Sequence, residues 1–349
     1  MSLRSLTLTA IPVSSRIGFA TAELIRKTAT YSIADSAARL TMLFCRHIAL
    51  ILVCSTSLFA FSDPRALEIE TREAANDRDG DTFQSAYSIP GLPQHDFLLN
   101  QNYPEGVVIA IKFKGTRAYL IKPRERIDSQ RRWIWIAPLW VAFRSLKHGD
   151  SHVRFYVEQA LQAGFHVAGL DVGTTCGSPK GAELYDEFYT WVVKTHQLHP
   201  KVRLFGQSNG GLISYAWAFR HPEHVERIFG IYPVTDIRTW PKLEKVCGPE
   251  RITPTGLGYP YKSVEELQKH LSDVNPVDNL SALASRGVPI FHIHGDADDL
   301  VPMYANSTEL MNRYRTLGGK ARVDVLKGSG HGGQQFFRYQ PAADFLTEK

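Results

Sequence analysis

The chain has 349 residues, 44% hydrophobic and 21% charged, enough for one large core or two domains. Its formal net charge is +5, but residues 1–62 hold Arg4, Arg16, Arg26, Lys27, Arg39 and Arg46 against only Glu23 and Asp35, a net +4 that leaves +1 for everything after them. A body so nearly neutral lacks the basic face that nucleic acid requires, which argues against that class of partner.

Residues 1–62 read as a leader rather than as fold. Arg46 and His47 precede the apolar run 48–54 (IALILVC), and small and apolar residues continue it to Phe61. The run is too short for a membrane span. It suits the apolar region of a signal peptide, with Ala60-Phe61-Ser62 as a small-x-small cleavage site before Asp63. A signal peptide begins close to that region, so Met42 is the expected start of translation. A lipoprotein site at Cys54 and an organelle transit peptide in 1–41 are alternatives. The expectation is an exported protein, periplasmic or extracellular, with no stable membrane span once the leader is removed.

Residues 63–104 are expected to be an N-terminal entry segment, charged and turn-rich over 63–90 and flexible there. Its Asp77-Arg78-Asp79-Gly80-Asp81 resembles half a calcium loop but lacks the closing bidentate Glu, so no metal is expected there. Residues 106–114 and 117–122 predict a hairpin around Gly115-Thr116. A strand follows at 133–137 (WIWIA), leaving through Pro138-Leu139-Trp140. Helical spacing of Val153, Val157, Ala160 and Leu161 predicts a helix over 152–164, and 165–172 is strand-like. A helix over 181–198 shows Leu184, Phe188, Trp191 and Val192 on one stripe.

Val202-Arg203-Leu204-Phe205 reads as a short buried strand and 212–219 as the start of an amphipathic helix. Another strand is expected at 227–232. The polar segment 233–285 breaks the rhythm, and its part 237–285, with Trp240, Tyr259, Tyr261 and a helix near 263–271, reads either as a lid insertion or as an ordinary surface excursion. Strands at 288–294 and 321–326, each followed by a helix, close the chain. Such alternation predicts an α/β fold with a mostly parallel central sheet and helices on both faces, in which active residues belong at the C-terminal strand ends. Cys176 and Cys247 lie beyond the leader. They could form one disulfide in an exported protein or remain two buried thiols. The pairs His196/His199 and His221/His224, with Glu223 and Glu226 beside the second, have no zinc-site spacing and read as surface histidines.

The chemistry concentrates at three strand ends. Gly206-Gln207-Ser208-Asn209-Gly210-Gly211 joins strand to helix. A turn that tight forces Ser208 into a strained backbone conformation and leaves no room two residues to either side, so tiny residues are needed there. The hydroxyl is thereby held clear of the backbone at a helix N-terminus, whose dipole favours developing negative charge. An acidic loop, Gly295-Asp296-Ala297-Asp298-Asp299, follows the strand at 288–294. His331 lies in the glycine-flanked loop Gly328-Ser329-Gly330-His331-Gly332-Gly333. A hydroxyl, a carboxylate and an imidazole in this order can form a nucleophilic relay. Asp298 is the expected acid, with Asp296, Asp299 and the more distant Asp236 as rivals. Oxyanion donors are expected from the Asn209 N–H and, because Pro138 has no N–H, from Leu139 or Trp140.

At these residues the sequence resembles the α/β-hydrolase superfamily. Residues 206–211 look like the Gly-x-Ser-x-Gly-Gly of prolyl-oligopeptidase-like serine hydrolases. His294 to Pro302 resembles that group's H-G-x-x-D-x-x-V-P, and Gly330-His331-Gly332 its histidine loop. The resemblance spans roughly residues 105–349, the expected catalytic domain. It implies Ser208 as nucleophile, His331 as general base and acid, and Asp298 as the orienting carboxylate, with no cofactor and no metal. It implies a serine hydrolase acting on a small-molecule or carbohydrate-linked carboxylic ester, with a peptidase acting on short peptides as the alternative. The stretch before residue 105 is too short for the propeller that selects peptides in many such peptidases. A reading from another class is a non-catalytic binding module on a hydrolase scaffold.

Overall fold

The computed structural model describes residues 66–70, 103–138, 153–247 and 257–349. The leader, Met42, the Asp77–Asp81 loop, Leu139 and Trp140 lie outside the described residues.

Nine strands form one sheet in the order β1-β2-β3-β5-β4-β6-β7-β8-β9. These are β1 (Ala66–Glu70), β2 (Gly106–Phe113), β3 (Thr116–Pro123), β4 (Trp133–Ala137), β5 (His166–Leu170), β6 (Val202–Gln207), β7 (Val225–Ile231), β8 (Ile290–Gly295) and β9 (Ala321–Leu326). From β5 to β9 every neighbouring pair is parallel, while β1, β2 and β3 join antiparallel at the other end. The chain runs from β4 outward to β5 and then returns to the far side of β4 as β6. That reversal opens a crevice beyond the strand ends between β4 and β6, where an open α/β sheet binds its ligands.

Alternation along the central strands explains the two apolar layers. Trp133, Trp135 and Ala137 of β4 pack on one face with α2 (Pro179–His196), α3 (Asn209–Ala218), α7 (Ser281–Ser285) and α8 (Ser307–Thr316). Ile134 and Ile136 pack on the other with α1 (Arg154–Gln162) and α9 (Gln340–Thr347). The predicted stripes are the buried ones. Val157, Ala160 and Leu161 of α1, with Val153 just before it, are buried, as are Phe188, Trp191 and Val192 of α2, while Leu184 is partly covered. Ser178 caps α2 by accepting the Gly181 N–H at 3.1 Å, with Pro179 next to it. Trp135 stacks on Tyr185 with ring centroids 4.2 Å apart and 7° between planes, tying β4 to α2.

Two expectations are corrected, and one left open is decided. Ala66–Glu70, read as part of a charged N-terminal segment, pairs with β2 as an edge strand. Helix α3 is not amphipathic: every residue from Gly210 to Ala218 is buried, because α3 lies between the sheet, α2 and the following insertion. Cys176 and Cys247 are not bonded. Both are free and buried in one apolar cluster, and burial pushes the Cys176 thiol up to about 12.

The insertion after Asp236 contains α4 (Leu243–Val246), α5 (Val264–Lys269), α6 (Leu271–Val274) and α7. Its apolar residues Ile237, Leu243, Val246, Tyr259, Leu267 and Val274 form a core that also takes in Leu212 of α3 and Val301. The fully buried Asn275 accepts the Ile237 N–H and donates to Asp236 and Asp278. No described helix is long and apolar enough to cross a membrane.

Candidate active site

Ser208 follows the last residue of β6 and adopts φ 52°, ψ −121°, a left-handed conformation rare for a residue with a side chain. Its backbone is pinned on both sides. The Ser208 N–H donates to the Ile231 carbonyl at 3.0 Å, and the Ser208 carbonyl accepts the N–H groups of Gly211 and Val234, each at 2.9 Å. The three glycines of the motif are steric necessities. A Cβ on Gly206 would lie 2.8 Å from the Gly210 carbonyl oxygen. One on Gly210 would lie 1.9 Å from the Ala137 carbonyl oxygen, and one on Gly211 2.5 Å from that of Val234. Strand β6, helix α3 and the ends of β4 and β7 therefore meet at one point, and the strain is held by packing and hydrogen bonds around it.

Ser208 Oγ lies 2.9 Å from His331 Nε2, and His331 Nδ1 lies 2.7 Å from Asp298 Oδ2. The three side chains thus form one hydrogen-bonded line although they are separated by up to 123 positions in the chain. The Asp298 side chain is wholly buried, whereas His331 retains 18% of its side-chain exposure and Ser208 is half-buried. Ser208 and His331 thus keep part of their surface open, while the Asp298 carboxylate is shielded.

Asp298 is held by protein donors on both carboxylate oxygens. Its Oδ1 accepts the N–H groups of Leu300 at 3.1 Å and Val301 at 2.8 Å. Its Oδ2 faces His294 Nε2 at 3.3 Å as well as His331. Burial alone would raise the carboxyl, but the hydrogen bonds from His294, His331 and Val301 outweigh it and hold Asp298 well below the usual carboxylate range.

The rival carboxylates are engaged elsewhere. Asp296 Oδ1 accepts the Gly328 N–H at 2.6 Å and so ties the acidic loop to the histidine loop, as does the Ala297 N–H donating to Ser329. Asp299 is exposed. Asp236 is buried under Arg238, whose guanidinium donates to both carboxylate oxygens.

The Asn209 N–H belongs to the first turn of α3, among the helix donors that lack an intrahelical acceptor. The other oxyanion candidates, Leu139 and Trp140, lie outside the described residues. The histidine pair 221/224 stacks on Trp217, and no group of three or more metal-binding side chains occurs among the described residues.

Two neighbours of the line escaped the sequence reading. The Tyr232 ring lies 4.2 Å from that of His331, and its hydroxyl accepts a 2.5 Å hydrogen bond from Gln207 Nε2. His294 backs Asp298. Its signal was present as a histidine two positions from His292, on the same face of an otherwise apolar strand.

The parallel run, the switch point at β4 and β6, and the strained serine turn leaving β6 decide the architecture. The fold is that of the α/β-hydrolases. The model of the prolyl oligopeptidase family matches residues 186–349, the stretch that carries Ser208, Asp298 and His331. No curated protein matches the chain significantly.

Among solved structures, the chain is similar to a truncated carbohydrate esterase from gut microbiota, with TM-score 0.48, 19% identity, and coverage of 66% of this chain and 90% of that one. It is similar also to carboxyl esterase 2 of the mycorrhizal fungus Tuber melanosporum, with TM-score 0.49, 16% identity and coverage of 71% and 86%. For dipeptidyl peptidase 4 of Porphyromonas gingivalis the TM-score is 0.49 and the identity 13%, and this chain, 70% covered, spans 40% of that protein. The family match supports a serine hydrolase and leaves ester and peptide substrates alike open.

Proposed function

We propose that this hydrolase cleaves a carboxylic ester through a covalent acyl-enzyme, with Ser208 as nucleophile, His331 as general base and acid, and Asp298 as the carboxylate that orients the imidazole. The observation that carries the reading is the hydrogen-bonded line from Ser208 Oγ through His331 to Asp298, beginning on a strained strand-to-helix turn. His331 Nε2 takes the hydroxyl proton as Oγ attacks the carbonyl, then delivers it to the departing alcohol. Water enters, gives its proton to the same nitrogen, and releases the acid. The negative oxygen of each tetrahedral intermediate is met by the Asn209 N–H and a second donor from Leu139 or Trp140. Buried and ionised, Asp298 holds His331 with Nδ1–H toward itself, which leaves Nε2 free to accept.

Small-molecule or carbohydrate-linked esters are the proposed substrates. The family match over residues 186–349 favours a second reading, a peptidase acting on short peptides. Kinetics on short p-nitrophenyl esters and on aminoacyl anilides separate them. The ester reading expects kcat/KM for esters to exceed that for anilides by several orders of magnitude, and comparable or greater anilide cleavage would replace it with the peptidase. We further propose that the insertion over 237–285 borders the substrate, since its core includes Val301 beside the acid. Export directed by the leader before Asp63 is part of the same proposal.

A further inference from the structure

Behind Asp298 lies a chain of buried polar groups that the proposed reaction does not use. Tyr215 of α3, His292 and His294 of β8 and Ser307 of α8 are all essentially inaccessible. Tyr215 Oη lies 2.8 Å from His292 Nε2, and His292 Nδ1 lies 2.9 Å from Ser307 Oγ. Ser307 Oγ lies 2.8 Å from His294 Nδ1, and His294 Nε2 lies 2.9 Å from the Val301 carbonyl and 3.3 Å from Asp298 Oδ2.

Counting donors fixes the direction of every link. The Val301 carbonyl and the Asp298 carboxylate only accept, so His294 Nε2 carries a hydrogen. A neutral His294 then has a bare Nδ1, which only the Ser307 hydroxyl can satisfy. Having donated its single hydrogen, Ser307 must accept from His292 Nδ1–H. His292 is therefore bare at Nε2 and accepts the Tyr215 hydroxyl. With both imidazoles neutral every donor in the chain has an acceptor, whereas a second hydrogen on His294 would reverse the links and leave the buried Tyr215 hydroxyl facing an N–H. Two histidines on one face of one strand thus carry opposite tautomers, and all the dipoles point toward Asp298.

We infer that Tyr215, His292, Ser307 and His294 form a one-way hydrogen-bond relay whose last N–H, bonded to the Val301 carbonyl, also faces at 3.3 Å the carboxylate oxygen that receives His331, with Ser307 as the positioning residue that sets its direction. The relay runs from the helix that begins at Ser208 to the acid serving that serine, so it joins nucleophile and acid through the core as well as through His331. Its role rests on the proposed function of Ser208, His331 and Asp298, but its polarity does not.

The test is ¹⁵N-edited NMR of the imidazole rings in the wild-type enzyme at neutral pH, combined with fluorophosphonate labelling of the same sample. His294 is expected as the Nε2–H tautomer and His292 as the Nδ1–H tautomer. An imidazolium at either position, or the same tautomer at both, would overturn the relay. Labelling that fails while the opposite tautomers are seen would instead overturn the proposed reaction and leave the relay standing. In Ser307→Ala, the His331 Nδ1–H resonance should shift or broaden, and kcat should fall about tenfold, the loss corresponding to one neutral hydrogen bond. Ser307→Thr, which keeps the hydroxyl, should restore both. An unchanged His331 resonance in a folded Ser307→Ala enzyme would reduce the relay to internal packing.

Discussion

Gly210 sits against the carbonyl of Ala137, so closely that a Cβ on residue 210 would lie 1.9 Å from the Ala137 oxygen. This single approach brings the start of α3 against the end of the neighbouring parallel strand, and it sets where Ser208 stands over the sheet. Gly210→Ala is expected to push α3 off β4, cost about 1–3 kcal/mol as an overpacked site, and abolish most activity. Urea unfolding together with ester turnover checks both parts. A variant of wild-type activity would show that the approach is dispensable.

Asp298→Asn should lower kcat by about 10⁴, because an amide in that position no longer selects the His331 tautomer with Nδ1–H toward it. Asp296→Asn should cost less than about tenfold, since an amide oxygen still accepts the Gly328 N–H. Steady-state kinetics of the two variants decides between the carboxylates, and the reverse order of losses would transfer the role to Asp296.

The same carboxylate makes stability depend on acidity. Asp298 is held below its ordinary value, so its ionised form favours the folded chain. That contribution is complete above the unfolded carboxylate pKa of about 3.9 and is lost as pH falls toward the lower native value. Unfolding free energies measured from pH 6 to pH 3 should drop more steeply for the wild type than for Asp298→Asn. Parallel curves would contradict the depressed carboxyl.

Arg203 is fully buried in β6, where it donates to both carboxylate oxygens of Glu226 on β7 and to the Leu346 carbonyl of α9 at 2.6 Å. Removing one member of such a pair strands its partner. Arg203→Ala should therefore cost about 3–5 kcal/mol in urea unfolding and loosen the C-terminal helix. A loss below about 1 kcal/mol would mark the pair as no stronger than an exposed one.

Much of this arrangement was legible because it depends on local signals. A continuous apolar run marked β4, period-3.6 apolar spacing marked α1 and α2, and glycines crowded around Ser208 marked the turn that only they can make. The Asp298 and His331 loops were visible as acidic and glycine-rich strand exits. What stayed hidden depends on contacts between distant segments. Leu67 and Ile69 alternate with Glu68 and Glu70, but five residues inside a charged stretch do not announce an edge strand until β2 is beside them. Residues 212–218 are apolar all round, the pattern of a buried rather than an amphipathic helix, and the insertion supplies the cover for the second face. Cys176 and Cys247 share an apolar cluster without bonding, which no spacing foretells. His292 and His294 lie within an apolar run and gain meaning only when Ser307 arrives from α8.

The central claim is that Ser208 is a nucleophile activated by His331. Labelling the purified protein with a fluorophosphonate, followed by mass-spectrometric mapping of the modified peptide, tests it most directly. One adduct on Ser208 is expected, lost in Ser208→Ala along with ester turnover, which should fall by up to ~10⁶. Modification at another residue, or a Ser208→Ala protein that still turns over ester at the wild-type rate, would contradict the account. A folded protein that takes up no label would be a binding module on a hydrolase scaffold.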